Sequence, residues 1–244
     1  MYFFADYHMH TKHSDGRATV EEMIQAGREK GLEEIAITDH GPKNIGTGVK
    51  NPEQYLKIKQ EVKELNAQFK DIKVFCGAEA DLIDLDGSID IPKKICRELD
   101  LLLVGLHPYV WPKNFSAAGK YVLGNQLAKY SSKVKSKVTN NNTKALLEAI
   151  YKHDVDIVTH PGLGMPLHLQ EVARACAAKN TAFEINVGHR YQSFTDIMEV
   201  ARTGVNFVVN SDAHFTTSVG ELTQGKALLT QAKIPVEQVL NARE

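Results

Sequence analysis

Short apolar runs alternate with amphipathic stretches along most of the chain. The apolar runs are about five to eight residues long and rich in β-branched and aromatic residues, which is typical of buried strands. They predict seven strands, at residues 2–7, 34–38, 73–79, 99–106, 156–160, 182–187 and 206–211. A regular alternation of strand and helix favours a parallel sheet with helices packed against it.

The intervening stretches have the apolar spacing of helices that cover a sheet with one face. Residues 19–31 begin at Thr19, which can cap a helix together with Glu22 three residues later, and they end at Gly31. Similar helices are predicted at residues 51–69, 143–154, 168–180 and 194–204. No linker rich in Gly, Pro or Ser divides the chain, so we expect one domain over residues 1–244.

One segment, residues 111–142, interrupts this alternation after the fourth predicted strand. It contains no acidic residue and six lysines: Lys113, Lys120, Lys129, Lys133, Lys135 and Lys137. Part of it, residues 125–138, has the pattern of a helix. Two interpretations of this lysine-rich insertion remain open, a solvated surface loop and a basic flap over an anionic substrate.

The composition is that of an ordinary globular protein, with 43% apolar and 24% charged residues. The formal net charge of −1 gives no overall field that would mark a nucleic-acid or membrane binder. The first ten residues lack the basic and long apolar regions of a signal peptide. Cys76, Cys96 and Cys176 lie far apart, as in reduced thiols. We therefore expect a cytoplasmic protein without a membrane segment.

Side chains that can bind a metal follow nearly every predicted strand. They are His8 and His10, Asp39 and His40, Glu79 and Asp81, His107, His160, Glu184 and Asn186, and Asp212 and His214. A single histidine at a strand end is usually a hydrogen-bonded surface or core residue. Here six of the ten histidines fall at the carboxyl end of five different strands. Because α/β folds build their sites at that end, the pattern predicts a metal site.

The spacing of these residues bears on the metals and on the architecture. His8 and His10, like Asp212 and His214, lie two residues apart and so share one face of an extended strand. Imidazole and carboxylate ligands without thiolate suit zinc, manganese or iron, and their number exceeds the needs of one ion. In an open sheet the first and last of seven strands would lie about 29 Å apart, so a shared site requires a barrel.

Seven motifs then carry a family resemblance: DYHMHTKHSDG, AITDHGP, GAEADL, VGLHP, THPG, EIN and NSDAH. Together, from residue 6 to about residue 220, they resemble the polymerase-and-histidinol-phosphatase (PHP) superfamily. The resemblance implies a distorted (β/α)7 barrel with a trinuclear metal centre that hydrolyses phosphate esters. The motifs are most similar to free-standing YcdX-type phosphatases and to the PHP domain of bacterial family X DNA polymerases, which acts as a nuclease.

The resemblance also implies which residues bind each metal. His8, His10, Glu79 and Asp212 match the ligands of a first metal, and Asp15, His40 and His214 match those of a second. His107 and His160 match a third, with Glu79 bridging the first and third. His13 is an alternative to Asp15 as a ligand of the second metal, because some YcdX-type members use a histidine near this point. The HxHxxxxDG spacing favours Asp15.

Other residues near the motifs have candidate roles around the metals. Asp39 could orient an imidazole, contact a bound water or cap a loop, and Asp6 and Glu184 could support ligands. Asn186, His189 and Arg190 are candidate substrate-binding residues, and Asp39, His189 and Arg190 are candidate catalytic residues. The planar guanidinium of Arg190 suits phosphate oxygens, although a plain surface role is equally compatible with its position.

The expected activity is hydrolysis of a phosphomonoester, such as histidinol phosphate or another small phosphorylated metabolite. The nucleophile would be a hydroxide that bridges two metal ions, with no covalent intermediate. A second hypothesis is a 3′-5′ exonuclease or phosphodiesterase on single-stranded nucleic acid, which the lysine-rich insertion favours. A third is a non-catalytic, metal-stabilised interaction module. The near-neutral charge favours a small substrate, while the native metal and the oligomeric state stay open.

Overall fold

Seven parallel strands form one sheet in which neighbours in the chain are neighbours in space. The computed structural model describes residues 1–114, 117, 119, 123–128 and 130–244. The strands of this sheet are β2 Ala5–Asp6, β3 Glu34–Ile37, β4 Lys73–Asp81, β5 Leu101–Gly105, β6 Ile157–Val158, β7 Ala182–Asn186 and β8 Phe207–Asn210. A separate antiparallel pair joins β1 (Tyr2–Phe3) to β9 (Ala242–Arg243).

Helices surround the sheet and bury its outer face. They are α1 Val20–Glu29, α2 Gln54–Gln68, α3 Lys93–Cys96, α4 Gly124–Leu127, α5 Ser132–Lys152, α6 Leu169–Lys179, α7 Phe194–Ala201 and α8 Thr223–Ala232, with 3-10 turns at Thr216–Ser218 and Val236–Gln238. The capping box predicted for α1 is present, since Thr19 accepts from the backbone of Glu22 and the Glu22 side chain accepts from that of Thr19. None of the helices in the described parts of the chain is long and apolar enough to cross a bilayer.

The sheet curls into a nearly closed barrel, and side chains close much of the last gap, between β2 and β8. The Tyr7 amide donates to Asn210 Oδ1 (2.9 Å), and the Ser211 amide donates to Asp6 Oδ1 (3.1 Å). Past the strand ends, the His10 amide donates to the Ala213 carbonyl (2.8 Å). These bonds bring the residues after β2 next to those after β8.

Asn241, from the C-terminal segment, completes the same seam closer to the amino ends of the strands. Its Nδ2 donates to the carbonyls of Ala5 (2.8 Å) and Val209 (2.7 Å), and its Oδ1 accepts from the Val209 amide (3.0 Å). The side chain is fully buried. One amide group thus satisfies backbone groups on both strands that a continuous ladder would otherwise pair.

The predicted distorted (β/α)7 barrel in a single domain is confirmed, with local differences from the expected elements. The predicted strand 2–7 is split into β1 and β2, because Tyr2 and Phe3 pair with the C-terminal segment. In place of the helix expected at 125–138, α4 ends at Leu127 and α5 begins at Ser132, and α5 continues through the helix expected at 143–154. The α3 and α8 helices were not predicted. Within the lysine-rich insertion, Lys120 and Lys129 lie outside the described residues.

Candidate metal centre

The barrel brings all nine candidate metal ligands into one cluster at the carboxyl ends of its strands. Six imidazoles lie close together, with ring centroids 4.2 Å apart for His10 and His40, 4.3 Å for His10 and His214, and 4.9 Å for His107 and His160. The cluster consists of His8, His10, Asp15, His40, Glu79, His107, His160, Asp212 and His214. It falls into three groups that share members.

The first group contains two histidines whose Nε2 atoms face the same position. His8 and His10 flank Met9, which turns into the core, so their rings share a face, and the two Nε2 atoms are 3.1 Å apart. Glu79 Oε2 lies 3.4 Å from His8 Nε2, and Asp212 Oδ1 lies 3.2 Å from His10 Nε2. Four ligand atoms therefore converge, the number that zinc takes in a tetrahedral site.

The second group forms around Asp15. Asp15 Oδ1 lies 3.3 Å from His214 Nε2 and 3.8 Å from His40 Nε2. His13 lies outside the group, because its Nε2 pairs with Glu61 Oε2 (2.9 Å) and its Nδ1 faces the amide of Gln54 (3.0 Å). The geometry thus favours Asp15 over His13 as the candidate ligand.

The third group depends on Glu79, which is fully buried at the centre of the cluster. Its Oε1 lies 2.7 Å from His160 Nε2 and 3.5 Å from His107 Nε2. Its Oε2 lies 2.8 Å from His40 Nδ1 and also faces the first group. Glu79 is therefore placed to bridge metal positions, as the resemblance implies.

Two of the candidate ligands have a left-handed backbone, which is unfavourable for residues other than glycine. The φ angle is 26° at His160 and 54° at Asp212. Such conformations cost about 1–3 kcal/mol each and persist where surrounding contacts impose them. Here Glu184 Oε2 accepts from the His160 amide (2.6 Å), and Asn186 Nδ2 donates to Asp212 Oδ2 (3.0 Å). Two candidate ligands thus hold a strained backbone that contacts inside the cluster impose.

Glu184 contacts the first group on the side of the His8 ring that is opposite its Nε2 atom. Its Oε1 accepts from His8 Nδ1 (2.7 Å) and from Asn210 Nδ2 (2.9 Å). A carboxylate on one ring nitrogen fixes the tautomer, so that the other nitrogen presents its lone pair to a metal. Glu184 thus directs Nε2 of His8 into the cluster.

Asp39 holds the loop between His10 and Asp15 in place. Its Oδ1 accepts from the Thr11 amide (2.7 Å) and the Ser14 hydroxyl (2.5 Å), and its Oδ2 accepts from the Thr11 hydroxyl (2.8 Å). Burial raises the pKa of this carboxyl. Among the alternatives from the sequence, the loop-capping role matches these contacts.

The three candidate substrate-binding residues occupy different places. Asn186 is buried, and its Nδ2 is already engaged by Asp212 and Glu184. His189 is 49% exposed, and its Nε2 lies 3.3 Å from Asp212 Oδ2, so it stands at the mouth of the cluster. Arg190 instead lines a separate cavity of about 240 Å³ beside α8, and its guanidinium has no hydrogen-bond or ion-pair partner among the described residues.

The charges inside the cluster suit metal binding. Burial would raise the pKa of Glu79 and of Asp212, but neighbouring histidines, His8 foremost, hold both pKa values well below their usual range. Burial, assisted by the His40 charge, lowers the pKa of His10 to about 3. The surroundings therefore favour the ionised form of both carboxylates and the neutral form of His10, which suits metal binding.

Unsatisfied polar atoms indicate that a cation completes this arrangement. Within the described residues, the buried side-chain atoms without a hydrogen-bond partner are His10 Nδ1, Glu79 Oε2 and Asp81 Oδ2. The 2.8 Å approach of His40 Nδ1 to Glu79 Oε2 lacks the alignment of a hydrogen bond. Buried polar atoms are rarely left unpaired, and all three belong to this site. The residues present thus fit divalent metal ions.

Sequence reasoning named Asp81 only as one of the metal-binding side chains at the strand ends and did not single out Asn44, although both belong to the site. Asp81 Oδ1 accepts from His107 Nδ1 (2.5 Å) and from Asn44 Nδ2 (3.2 Å). Burial raises the pKa of Asp81 to about 8. Asp81 lies two residues after Glu79 on β4, so the two side chains share one face of the strand, and this spacing could have indicated that Asp81 belongs to the site. Asn44 gave none, because its loop has no regular pattern.

Comparisons with known proteins agree with this geometry. A family model described as the PHP domain matches residues 6–187. A probable phosphatase from Shewanella sediminis is 31% identical over 99% of this chain and 90% of its own length, and one from Shewanella pealeana is 29% identical over 99% and 89%. The fold is shared with histidinol phosphate phosphatase from Lactococcus lactis, crystallised with zinc, L-histidinol and phosphate, at a TM-score of 0.62, 19% identity and 93% coverage of each chain.

Proposed function

This chain belongs to the PHP domain family, and we propose that it is a metal-dependent phosphatase that hydrolyses a small phosphomonoester. The observation that carries the proposal is the convergence of six imidazoles and three carboxylates, with Glu79 at their centre, at the open end of the barrel. The relatives named probable phosphatases support the class of reaction, a phosphoric ester hydrolase. We take residues 1–244 as one domain of this kind, with residues 111–142 as an insertion.

The donor set suggests two or three divalent ions, with zinc favoured and manganese or iron as alternatives. The first metal would be held by His8, His10, Glu79 and Asp212, the second by Asp15, His40 and His214, and the third by His107 and His160 with Glu79. Metal ions bound there would neutralise the charge of a phosphate ester and make a water molecule acidic enough to attack phosphorus. The zinc in the Lactococcus lactis relative supports this choice of metal.

The chain's own groups supply the remaining functions. The buried carboxylates and imidazoles fix the geometry, and the strand ends that carry them are rigid. His189, at the exposed mouth, is placed to donate a hydrogen bond to the phosphoryl group or the leaving oxygen. The cysteines do not offer a nucleophile, because burial raises the pKa of Cys76 and of Cys176 to about 12 and that of Cys96 to about 11. Water is therefore the proposed nucleophile.

One observation favours a second candidate, a 3′-5′ exonuclease on single-stranded nucleic acid. Lys135 of the insertion lines a cavity of about 320 Å³ together with Gly162 and Gly164, which belong to the loop that follows His160. A basic residue there could contact a nucleic-acid backbone. Lys113 is less available, because it pairs with Asp86. A purely structural role for the metals ranks last, since all nine ligand positions are filled. A cytoplasmic location stays a prediction from the free thiols.

A substrate panel tests the proposal directly. The purified protein, loaded in turn with zinc, manganese and iron, would be assayed with phosphomonoesters that include histidinol phosphate, and with single-stranded DNA alongside. We expect release of inorganic phosphate from one or more phosphomonoesters and little or no nucleotide from DNA. Nucleotide release without phosphomonoester turnover would replace the proposal with the exonuclease.

Elemental analysis tests the metal content independently of any substrate. Protein expressed with ample metal should carry two to three equivalents of zinc, manganese or iron, because the ligands form three groups. One equivalent or less would contradict a multinuclear centre.

A further inference from the structure

His107 is oriented by two carboxylates on opposite sides of its ring. Its Nε2 lies 3.5 Å from Glu79 Oε1, on the side of the third group, and its Nδ1 lies 2.5 Å from Asp81 Oδ1. The ring is therefore held along a line from Asp81 to the centre of the cluster. The contact with Asp81 is the shorter of the two, and it leaves Nε2 as the nitrogen that faces the metal position.

Asp81 is in turn held firmly at the end of β4. Its side chain is fully buried, and Asn44 Nδ2 donates to the same Oδ1 that accepts from His107. Asp90 binds the backbone of β4 and that of the 41–49 loop. Its Oδ1 accepts from the Asp81 amide (2.8 Å), and its Oδ2 accepts from the Lys43 amide (2.9 Å). Asp90 approaches Gly41 so closely that a Cβ there would lie 2.1 Å from Oδ2. The strand end and the 41–49 loop thus form one unit.

The same arrangement recurs elsewhere in the cluster. His8 donates from Nδ1 to Glu184, and His214 Nδ1 lies 2.9 Å from the carbonyl of Asp212. In each case an oxygen acceptor on Nδ1 directs Nε2 toward the candidate metals. Asp81 and His107 form the equivalent pair for the third group.

We propose that Asp81 is the positioning residue of the third metal position, acting through His107 and steadied by Asn44. With cations bound beside it, which favour its ionised form, the Asp81 carboxylate would accept the Nδ1 proton of His107, fix that tautomer and aim the Nε2 lone pair at the position shared with Glu79 and His160. This inference deepens the proposed function and rests on its metal centre. It predicts that loss of Asp81 weakens binding of one metal equivalent and leaves the others in place.

Metal titration of zinc-loaded variants tests the proposal without any substrate. Asp81→Ala should bind one of its zinc equivalents about 10–100-fold more weakly than wild type. Asp81→Asn keeps an oxygen acceptor but not the charge, so it should fall between the two. Asp84→Asn is the matched control, because Asp84 lies in the following turn and its side chain, among the described residues, bonds to the Leu85 amide and to Asn114 and not to the cluster. The control should bind zinc like wild type.

A spectroscopic signature separates positioning from direct ligation. In ¹⁵N NMR of the zinc-loaded protein, the hydrogen-bonded Nδ1 proton of His107, assigned with His107→Gln, should disappear or shift strongly in Asp81→Ala. Full zinc content with an unchanged resonance would overturn the proposal. Loss of zinc with an unchanged resonance would also overturn it and make Asp81 a ligand itself. If Asp81→Ala does not fold, Asp81→Asn gives the same two readouts. Absence of phosphatase activity in wild type would refute the proposed function but not this role.

Discussion

Glu79 is the residue on which the whole cluster depends. It is fully buried, and its two oxygens approach the imidazoles of His8, His40 and His160. A buried carboxylate is unfavourable without cations, and here protonated imidazoles or metal ions must supply the positive charge. The neighbouring histidines, His8 foremost, hold the pKa of Glu79 well below the usual range against the effect of burial.

Replacing Glu79 by Gln should therefore abolish most of the activity while the fold survives. The amide is nearly isosteric but has no charge to share between metal positions. We expect turnover to fall by about 100-fold or more and metal content to drop by at least one equivalent. Kinetics and elemental analysis on the same preparation measure both. Glu64→Gln, on the exposed face of α2, is the control and should behave like wild type. Wild-type turnover and metal content in Glu79→Gln would show that Glu79 is no ligand.

The pair Asp15 and His13 offers a second test at single residues. Asp15 faces His40 and His214, whereas His13 pairs with Glu61 at the surface of α2. Asp15→Ala should lower metal affinity at least about tenfold, because it removes a charged oxygen ligand. His13→Ala should lose only the partly exposed contacts with Glu61 and Gln54 and change metal affinity little. Isothermal titration with zinc ranks the two variants, and the reverse order would assign the second metal to His13.

At the level of elements, the parallel barrel and the end of the strands that carries the candidate ligands could be predicted, but the barrel seam could not. The alternation of strand and helix is a local signal, and the parallel sheet that it predicts is confirmed. The histidines at the strand ends are also a local signal, and the fold brings them together. The seam depends on Asp6, which bonds to Ser211, and on Asn241, which bonds to Ala5, and the residues of each pair lie more than 200 positions apart in the chain. No periodicity marks such side-chain bridges. For the same reason the split of the first strand and the role of Asn44 were missed.

The seam predicts a large cost for a residue far from the chemistry. Asn241→Ala removes three buried hydrogen bonds and leaves backbone groups of Ala5 and Val209 without partners. We expect a loss of about 2–4 kcal/mol in the free energy of unfolding, measured by urea denaturation. Asn206→Ala, at an exposed position just before β8, is the matched control and should cost less than about 0.5 kcal/mol. Equal stability of the two variants would mean that the seam does not need Asn241.

For the whole molecule, the metal centre and the closed barrel should stabilise each other. The cluster joins residues on or after every strand of the sheet except β7, so ions bound there link its first strand, β2, to its last, β8. Ligands that bind only the folded state add about 2.7 kcal/mol each at a hundredfold excess over Kd. Removal of metal by a chelator should therefore lower Tm by about 5–10 °C or more, and added zinc should restore it. Calorimetry measures this, and an unchanged Tm would show that the ions contribute nothing to folding.

Variants of the lysine-rich insertion can distinguish a small phosphomonoester substrate from a single-stranded nucleic acid. Lys135 lines the cavity next to the loop after His160, and Lys133 and Lys137 lie on the same exposed end of α5. A small phosphomonoester would be held mainly by the metal cluster, so replacing these three lysines by Ala should change its kcat/KM by less than about threefold. If a single-stranded nucleic acid contacts all three lysines, each phosphate contact contributes about −0.7 to the slope of log K against log salt. Replacing the three lysines should then make this slope less negative by about 2. Lys57, Lys63 and Lys70, exposed on or just beyond α2, give a control variant with the same change of net charge. Loss of DNA cleavage together with the flattened salt slope, in the insertion variant and not in the control, would establish the insertion as a nucleic-acid-binding element and make the exonuclease the better account of this protein.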